Sequence, residues 1–164
     1  MFSCRQQVVE RPVFKKIDLS WGNGWTKYIC VNIDSLKTAR ILVDELNKKP
    51  IYLVGKLNDT IFSKLNYLVG SALNQKYPDM IGESLVDGGA SHIIIDNNIH
   101  STINASAEQN KLDTIVSLLI DLNNYTLKPS VDSTFVYKSL SKIKPTLETV
   151  KFVPPVIKDD VIEK

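Results

Sequence analysis

Hydrophobic and polar residues alternate along two early segments of the chain, as they do in strands whose two faces meet different surroundings. Residues 13–19 read Val-Phe-Lys-Lys-Ile-Asp-Leu, and residues 25–33 alternate again through Lys27, Ile29 and Val31. Between them, residues 21–25 read Trp-Gly-Asn-Gly-Trp and supply two glycines and an asparagine, which favour a tight turn. The pattern therefore predicts a β-hairpin.

A period of three to four residues follows the hairpin and predicts a helix. Asp34 stands where a helix cap is expected, and Pro50 ends the segment. The apolar positions of this predicted helix are Leu36, Ala39, Leu42, Val43 and Leu46. Ile51–Val54 then has the character of a buried strand. A strand-helix-strand unit of this length predicts a right-handed crossover that places Tyr28–Ile33 and Ile51–Val54 parallel.

The middle of the chain predicts a second helix and a second hairpin. Asp59 is the expected cap of a second helix, which Pro78 stops. The apolar face of this helix carries Ile61, Leu65, Leu68 and Ala72. Ile93–Ile95 and Ile99–Ile103 are β-branched runs on either side of Asp96, Asn97 and Asn98, so a second hairpin is expected around Asn97.

The remaining segments predict two helices and a strand. Ser106 and Gln109 have the spacing of a capping box. The helix that they open carries Leu112, Ile115, Val116, Leu119 and Leu122. A shorter helix is predicted from Val131 to Ile143, with Phe135, Val136 and Leu140 facing inward, and Leu147–Val153 is predicted to be a last strand.

The organisation of these elements indicates one domain over residues 1–164, since no internal repeat or Gly/Ser linker divides the chain. We predict an α/β or α+β fold with a mixed sheet of about five to six strands and helices packed on it. Extended arms are expected at residues 1–12 and 153–164, because both carry apolar residues without helical period and Pro154-Pro155 forces an extended backbone.

Composition and charge narrow the class of protein. Hydrophobic residues make up 43% and charged residues 23%, and the formal charge of +2 is far from that of a dedicated nucleic-acid binder. Two cysteines favour a reducing compartment. The first residues do not resemble a signal peptide, and no apolar segment approaches the ~20 residues that span a bilayer. We therefore expect a cytoplasmic protein without a membrane anchor or cofactor.

Both histidines of the chain lie in the hairpin around Asn97, and they define the one candidate set for acid-base or metal chemistry. Its members are Asp87, His92, Asp96 and His100. On one continuous strand these side chains would be too widely spaced for a single ion. A turn near Asn97 instead brings His92 toward 101–103 and His100 toward 93–95, and it leaves open that the two rings lie on opposite faces. We interpret both as structural histidines and expect no metal site.

Other motifs of binding chemistry are incomplete. Gly55-Lys56 lacks the Ser or Thr of a P-loop, and Gly22-Asn23-Gly24 lacks the third glycine of a dinucleotide fingerprint. Trp21 and Trp25 bracket a turn, where they could stack on a sugar or base. The alternative for this pair is a packed hairpin end.

The extended arms carry the functional prediction. Apolar arms commonly bury themselves on another subunit or on a partner protein, so we predict a non-enzymatic interaction or assembly protein, either a structural subunit that associates with itself or a small binding or inhibitor protein. The interface residues expected in the second arm are Val156, Ile157, Val161 and Ile162. The alternative is a small hydrolase or nuclease that uses Asp87, His92, Asp96 and His100. An enzyme requires those side chains to converge in a cleft, whereas an assembly protein requires exposed apolar surface.

Overall fold

The computed structural model describes residues 11–23, 26–83, 89–104, 106–107, 110–122, 127–131 and 135–143. These residues form a mixed α+β fold with one sheet and three helices, and the sheet has eight strands rather than the five or six expected. Three of the eight were not predicted as strands: β3, which was expected to be a helix, and β5 and β8, which have two residues each, a length at which no hydrophobic period predicts a strand. The strands are β1 Lys16–Gly22, β2 Lys27–Asp34, β3 Thr38–Glu45, β4 Ile51–Lys56, β5 Met80–Ile81, β6 Ala90–Ile95, β7 Ile99–Asn104 and β8 Lys128–Pro129.

The strand order across the sheet is β5-β7-β6-β1-β2-β3-β4-β8. Every neighbouring pair is antiparallel except β5 and β7, which are parallel. Both expected hairpins are present, since β1 pairs with β2 and β6 pairs with β7 through a turn at 96–98. The long β2-β3-β4 meander and the β6-β7 hairpin thus meet on β1 at the centre of the sheet.

The helix expected after Asp34 is wrong, because residues 38–45 form β3. The sequence of this strand fits both periods, and its β-branched residues Thr38, Ile41 and Val43 favour a strand. The Asp34 side chain accepts hydrogen bonds from the backbone N–H groups of Leu36 and Thr38 within the β2-β3 turn. The crossover prediction fails with the helix: β2 and β4 run in the same direction, but β3 lies between them and pairs with both.

Two long helices cover one face of the sheet. Helix α1, Asp59–Leu73, confirms the second predicted helix, although its cap is Asn58, which accepts a hydrogen bond from the N–H of Ile61. Helix α2, Lys111–Asp121, carries the expected apolar face, but its capping box is formed by Asn110 and Asp113 rather than by Ser106 and Gln109. The Ser106 hydroxyl donates instead to the carbonyl of Glu83.

The main core lies between these helices and the sheet face that carries odd-numbered residues of the central strands. Its sheet members include Ile17, Leu19, Val31, Ile33, Ile41, Ile93 and Ile95, all fully buried. Phe62, Leu65 and Val69 of α1 and Leu112, Ile115 and Leu119 of α2 pack against them. Burial of this many large apolar side chains, each contributing about 1.5–3 kcal/mol, is the dominant stabilising term of the fold.

The helix predicted from Val131 to Ile143 is reduced to a single turn, α3, Leu140–Ile143. The residues before it lie in an irregular segment in which Val136 is exposed and Tyr137 is buried, so the expected inward face is wrong at position 136. We call residues 135–143 the strap. The predicted strand Leu147–Val153, most of the predicted arm at 1–12 and all of the arm at 153–164 lie outside the described residues.

Candidate functional site

The sheet face opposite the helices is polar and is partly covered by the strap. Strand alternation places Asp18 and Ser20 of β1 on this face, and the register adds Cys30 and Asn32 of β2 beside them. All four are buried, at exposures of 0–6%. Polar groups that are buried between a sheet and a segment must find hydrogen-bond partners there, because an unpaired group costs about 1–3 kcal/mol.

Asp18 fastens the strap to the sheet. Its carboxylate accepts hydrogen bonds from the backbone N–H of Lys138 at 3.0 Å, the N–H of Ser139 at 3.3 Å and the Ser139 hydroxyl at 2.5 Å. The Ser20 and Ser139 hydroxyl oxygens lie 2.7 Å apart. Since the Ser139 proton goes to Asp18, Ser20 is the donor in that contact. This chain of buried hydroxyls ends on the carboxylate and fixes the position of the strap.

The strap also places an apolar and aromatic cluster over β2 and β3. Tyr137 packs with Cys30 and Leu42, and the Arg40 guanidinium lies 5.1 Å from the centre of the Phe135 ring. Burial is the main cause that raises the pKa of Tyr137 well above its usual value. Among the described residues, the Tyr137 hydroxyl and the Asn32 Nδ2 atom have no hydrogen-bond partner. The hydrogen bonds that hold the strap are thus made at its centre, at Lys138 and Ser139, and Tyr137 contributes apolar packing.

The two histidines lie on the same, polar face of the sheet. His92 pairs with Thr102 across the hairpin and His100 pairs with Ile94, so the approach predicted from the turn is confirmed, and the open alternative of opposite faces is wrong. Directly opposed residues share a face, and His92 and Ile94 are two positions apart on one strand. His92 is 6% exposed, and its Nδ1 atom lies 2.7 Å from the Thr102 hydroxyl.

The charge environment of His92 disfavours its protonated form. Burial lowers the pKa of His92 most, the positive charges of Lys142 and His100 lower it further, and Asp18 acts in the opposite direction. A neutral imidazole at this place can form one hydrogen bond with the Thr102 hydroxyl. The surroundings of His92 are therefore those of a structural histidine beside the strap.

Asp96 holds the turn of the hairpin against β1. It has a left-handed backbone with φ of 49°, which aspartate tolerates better than most residues. Its carboxylate accepts hydrogen bonds from the backbone N–H of Lys15 and of Lys16, at 2.7–3.0 Å. The oxygens that would be needed for acid-base chemistry are thus engaged by the backbone.

A small cleft lies between the strap and the β6-β7 turn. Its volume is about 90 Å³. Ile94 forms part of its lining, and the register places Ile94 between His100 on β7 and Asp18 on β1. The other lining residues are Lys16, Asp96, Asn97 and Lys138. The cleft brings together Asp96 and His100 of the candidate set but not His92, and Asp87 lies outside the described residues.

Sequence reasoning missed the lysines and the central aspartate of this site. Lys16 and Lys138 belong to none of the motifs considered, and Asp18 had only the signal of a polar residue in an alternating strand. The pairing partners that bring Lys16, Asp18 and Lys138 to one cleft are 80 to 120 positions apart, and no local pattern encodes them. Across the described part of the chain, no three His, Cys, Asp or Glu side chains are arranged to hold a metal ion.

The predicted stacking pair is not brought together within the described residues. Trp21 is partly buried and packs against the main core on the helix side of the sheet, which supports the packed alternative for this residue. Trp25 lies outside the described residues, as do the predicted interface residues Val156, Ile157, Val161 and Ile162.

One end of the β4 edge exposes apolar side chains, and we call Leu46, Ile51 and Val131 the apolar edge. Leu46 lies in the β3-β4 turn and is 62% exposed, Ile51 begins β4 and is 53% exposed, and Val131 is fully exposed. The β4-β8 register, extended by the Ser130 N–H bond to the Tyr52 carbonyl, places Val131 opposite Ile51. Strand β8 pairs with only Leu53 and Val54 of the six residues of β4.

Comparison with known proteins gives no assignment. No protein-family model and no curated protein sequence matches this chain. Within the described residues, no helix is long and apolar enough to cross a membrane. The functional argument therefore rests on the polar face, the cleft and the apolar edge.

Proposed function

We propose that this chain is a non-enzymatic interaction or assembly protein that associates through the apolar edge and through the apolar residues of its second arm. The observation that carries the proposal is the apolar edge itself, where three large aliphatic side chains are exposed beside β4. Within the described residues, β8 pairs with two residues on the outer side of this strand. Partly paired edge strands accept further strands, and exposed apolar clusters gain free energy when a partner covers them.

The free energy gained by covering the apolar edge is sufficient for a specific contact but not for a permanent complex. Complete burial of an aliphatic side chain contributes about 1.5–3 kcal/mol, and the apolar edge retains more than half of the exposure of each member. Additional burial of Val156, Ile157, Val161 and Ile162 would add contributions of the same kind. We therefore propose that both surfaces take part in one association, with a second copy of the chain or with a protein partner.

The hydrolase or nuclease alternative has less support. Asp96 is engaged by backbone N–H groups, and His92 is buried and bound to Thr102. Both side chains thus have structural roles. Of His92, Asp96 and His100, only His100 is exposed at the cleft. Since the chain has two cysteines, which favours a reducing compartment, an intracellular location remains part of the proposal.

The proposal is tested by amide chemical shifts recorded across a series of protein concentrations. We expect concentration-dependent shifts that cluster at Leu46, Ile51 and Val131. In the variant Ile51→Lys, the same shifts should require protein concentrations at least tenfold higher. The reason is that burying a charge at this contact costs more free energy than the apolar contact contributes. The matched control is Tyr67→Lys, a 75% exposed position on α1, which should leave them unchanged.

Shifts that are absent at all concentrations would exclude self-association through this edge. Shifts that appear with equal strength in Ile51→Lys would place the association elsewhere on the molecule. Both variants should retain the dispersed spectrum of the folded chain, because both substituted side chains are exposed.

A further inference from the structure

Several residues that line the cleft between the strap and the β6-β7 turn carry hydrogen-bond donors in their side chains. Lys16, His100 and Lys138 line it, all three are exposed, and none has a hydrogen-bond or ion-pair partner for its side chain among the described residues. Asn97 adds an exposed amide at the turn. Two ammonium groups, an imidazole and an amide around one opening are groups that recognise oxyanions.

The two carboxylates in the lining do not use these donors. Asp96 accepts backbone N–H groups of Lys15 and Lys16, and Asp18 accepts those of Lys138 and Ser139 together with the Ser139 hydroxyl. The hydrogen bonds of both aspartates are thus made with the backbone and with one hydroxyl, and the lysine side chains remain available. The same engagement positions the lysines, because it ties the residues that bear them to the cleft.

The size and charge of the cleft select the ligand. A volume of about 90 Å³ corresponds to roughly three water molecules, enough for one group of a few heavy atoms. The formal charges of the two lysines and the two aspartates in the lining balance, so the surroundings disfavour a doubly charged anion more than a singly charged one. Ile94 adds an apolar surface that suits a short aliphatic stem.

We propose that this cleft binds a single carboxylate group, supplied by an acidic side chain of the partner. The inference rests on the proposed association, for which the cleft provides a polar contact separate from the apolar edge. An acidic side chain fits the lining because its stem lies against Ile94 while its oxygens accept from Lys16, Lys138 and His100. Such a contact contributes more to specificity and orientation than to affinity.

The probe that tests the cleft is sodium acetate, titrated at constant pH and ionic strength with inorganic phosphate as the comparison. Acetate should shift the His100 ring and the Asn97 amide signals saturably, with a dissociation constant on the order of 10 mM, as expected for a few exposed ion pairs. Lys16→Ala and Lys138→Ala should each weaken this binding about fivefold. Lys64→Ala, an exposed position on α1, is the matched control and should bind as the unsubstituted chain does.

Any of three results would overturn the carboxylate site. The shifts could fail to saturate, they could be equal in the cleft variants and in Lys64→Ala, or they could be larger with phosphate than with acetate. Amide spectra of each variant establish that the fold is retained, since all three substituted side chains are exposed. The outcome is separable from that of the proposed function: acetate binding reports on the cleft in the isolated chain, whereas the concentration series reports on the apolar edge.

Discussion

The Asp18 carboxylate carries a disproportionate share of the contact between the strap and the sheet. It is 3% exposed and accepts three hydrogen bonds from two consecutive strap residues. A buried acceptor of this kind orders the segment that donates to it, because the donors would otherwise lose their partners without regaining water. The Asp18 carboxylate therefore keeps the polar face closed together with the apolar contacts of the strap.

Asp18→Asn should lower the free energy of unfolding by about 2 kcal/mol, because the amide retains the shape of the carboxylate but turns one acceptor into a donor facing N–H groups. Urea denaturation measures the change. The control Asp121→Asn, exposed at the end of α2, should stay within about 0.5 kcal/mol of the unsubstituted chain. Equal stability of the two variants would show that Asp18 does not hold the strap.

His92 should make stability depend on pH below the ordinary pKa of 6.5, in the interval between that value and the lower pKa of the folded chain. Because its pKa is lowered in the folded chain from the ordinary value of 6.5, the unfolded chain binds the proton more readily. The contribution of neutral His92 is thus fully present above pH 6.5 and is lost as the pH falls through that value toward the lower pKa of the fold. Lys142 and His100 add to this loss, and Asp18 reduces it.

The measurement is the slope of the unfolding free energy against pH in three chains. His92→Gln should flatten the slope in this window, whereas His100→Gln should retain most of it, because burial is the largest cause of the lowered pKa of His92. The expectation is contradicted if His100→Gln removes the slope and His92→Gln leaves it intact. Neither substitution should abolish association, because neither ring belongs to the apolar edge.

At the scale of elements, the caps and turns decide where the helices and strands begin. The Asn110 side chain accepts from the N–H groups of Leu112 and Asp113, and the Asp113 carboxylate accepts from the N–H of Asn110. This reciprocal pair satisfies donors that the first turn of α2 leaves unpaired. Helix α2 is therefore fixed at its start, four residues after the position at which Ser106 was expected to cap it.

Asn110→Ala should destabilise the chain by about 1 kcal/mol through the loss of this cap. Thermal unfolding followed by circular dichroism measures the change, with Ser117→Ala as the control at an exposed interior position of α2. Alanine is favoured inside a helix, so the control should be neutral or slightly stabilising. A neutral Asn110→Ala would mean that tertiary packing alone determines the start of α2.

Hydrophobic period predicted the elements that have a single consistent pattern. The hairpins at β1-β2 and β6-β7 and the apolar faces of α1 and α2 follow directly from it. Residues 38–45 satisfied two periods at once, and the pairing of β3 with strands on both sides decided in favour of the strand. The short strands β5 and β8 depend on pairing alone, which no local pattern encodes.

The candidate site was less predictable than the fold, because the contacts that form it also depend on pairing between distant segments, which no local pattern encodes. Proximity in sequence drew attention to His92, Asp96 and His100, and the turn did place them near one another. The sheet register and the strap determine the residues that surround them, and Asp18, Lys16 and Lys138 enter through contacts across most of the chain. Register sets which side chains share a face, and the strap adds the residues that close it.

At the scale of the whole molecule, the two faces of the sheet differ in what they carry. The side that carries α1 and α2 holds the main apolar core, and the other side carries the polar residues, the strap and the cleft. The apolar edge lies at the margin of the sheet, on the far side of β2 and β3 from the cleft. A partner that contacts both would have to extend across the width of the sheet.

The most direct test of the proposed association is sedimentation of the full chain and of a chain that ends at Val153, each over a series of concentrations. Our account predicts that the full chain forms a concentration-dependent complex, that the shortened chain remains monomeric over the same range, and that both unfold cooperatively. If instead both chains are monomers of the same shape and the shortened chain unfolds at a lower temperature, the second arm packs on its own domain and the association is contradicted.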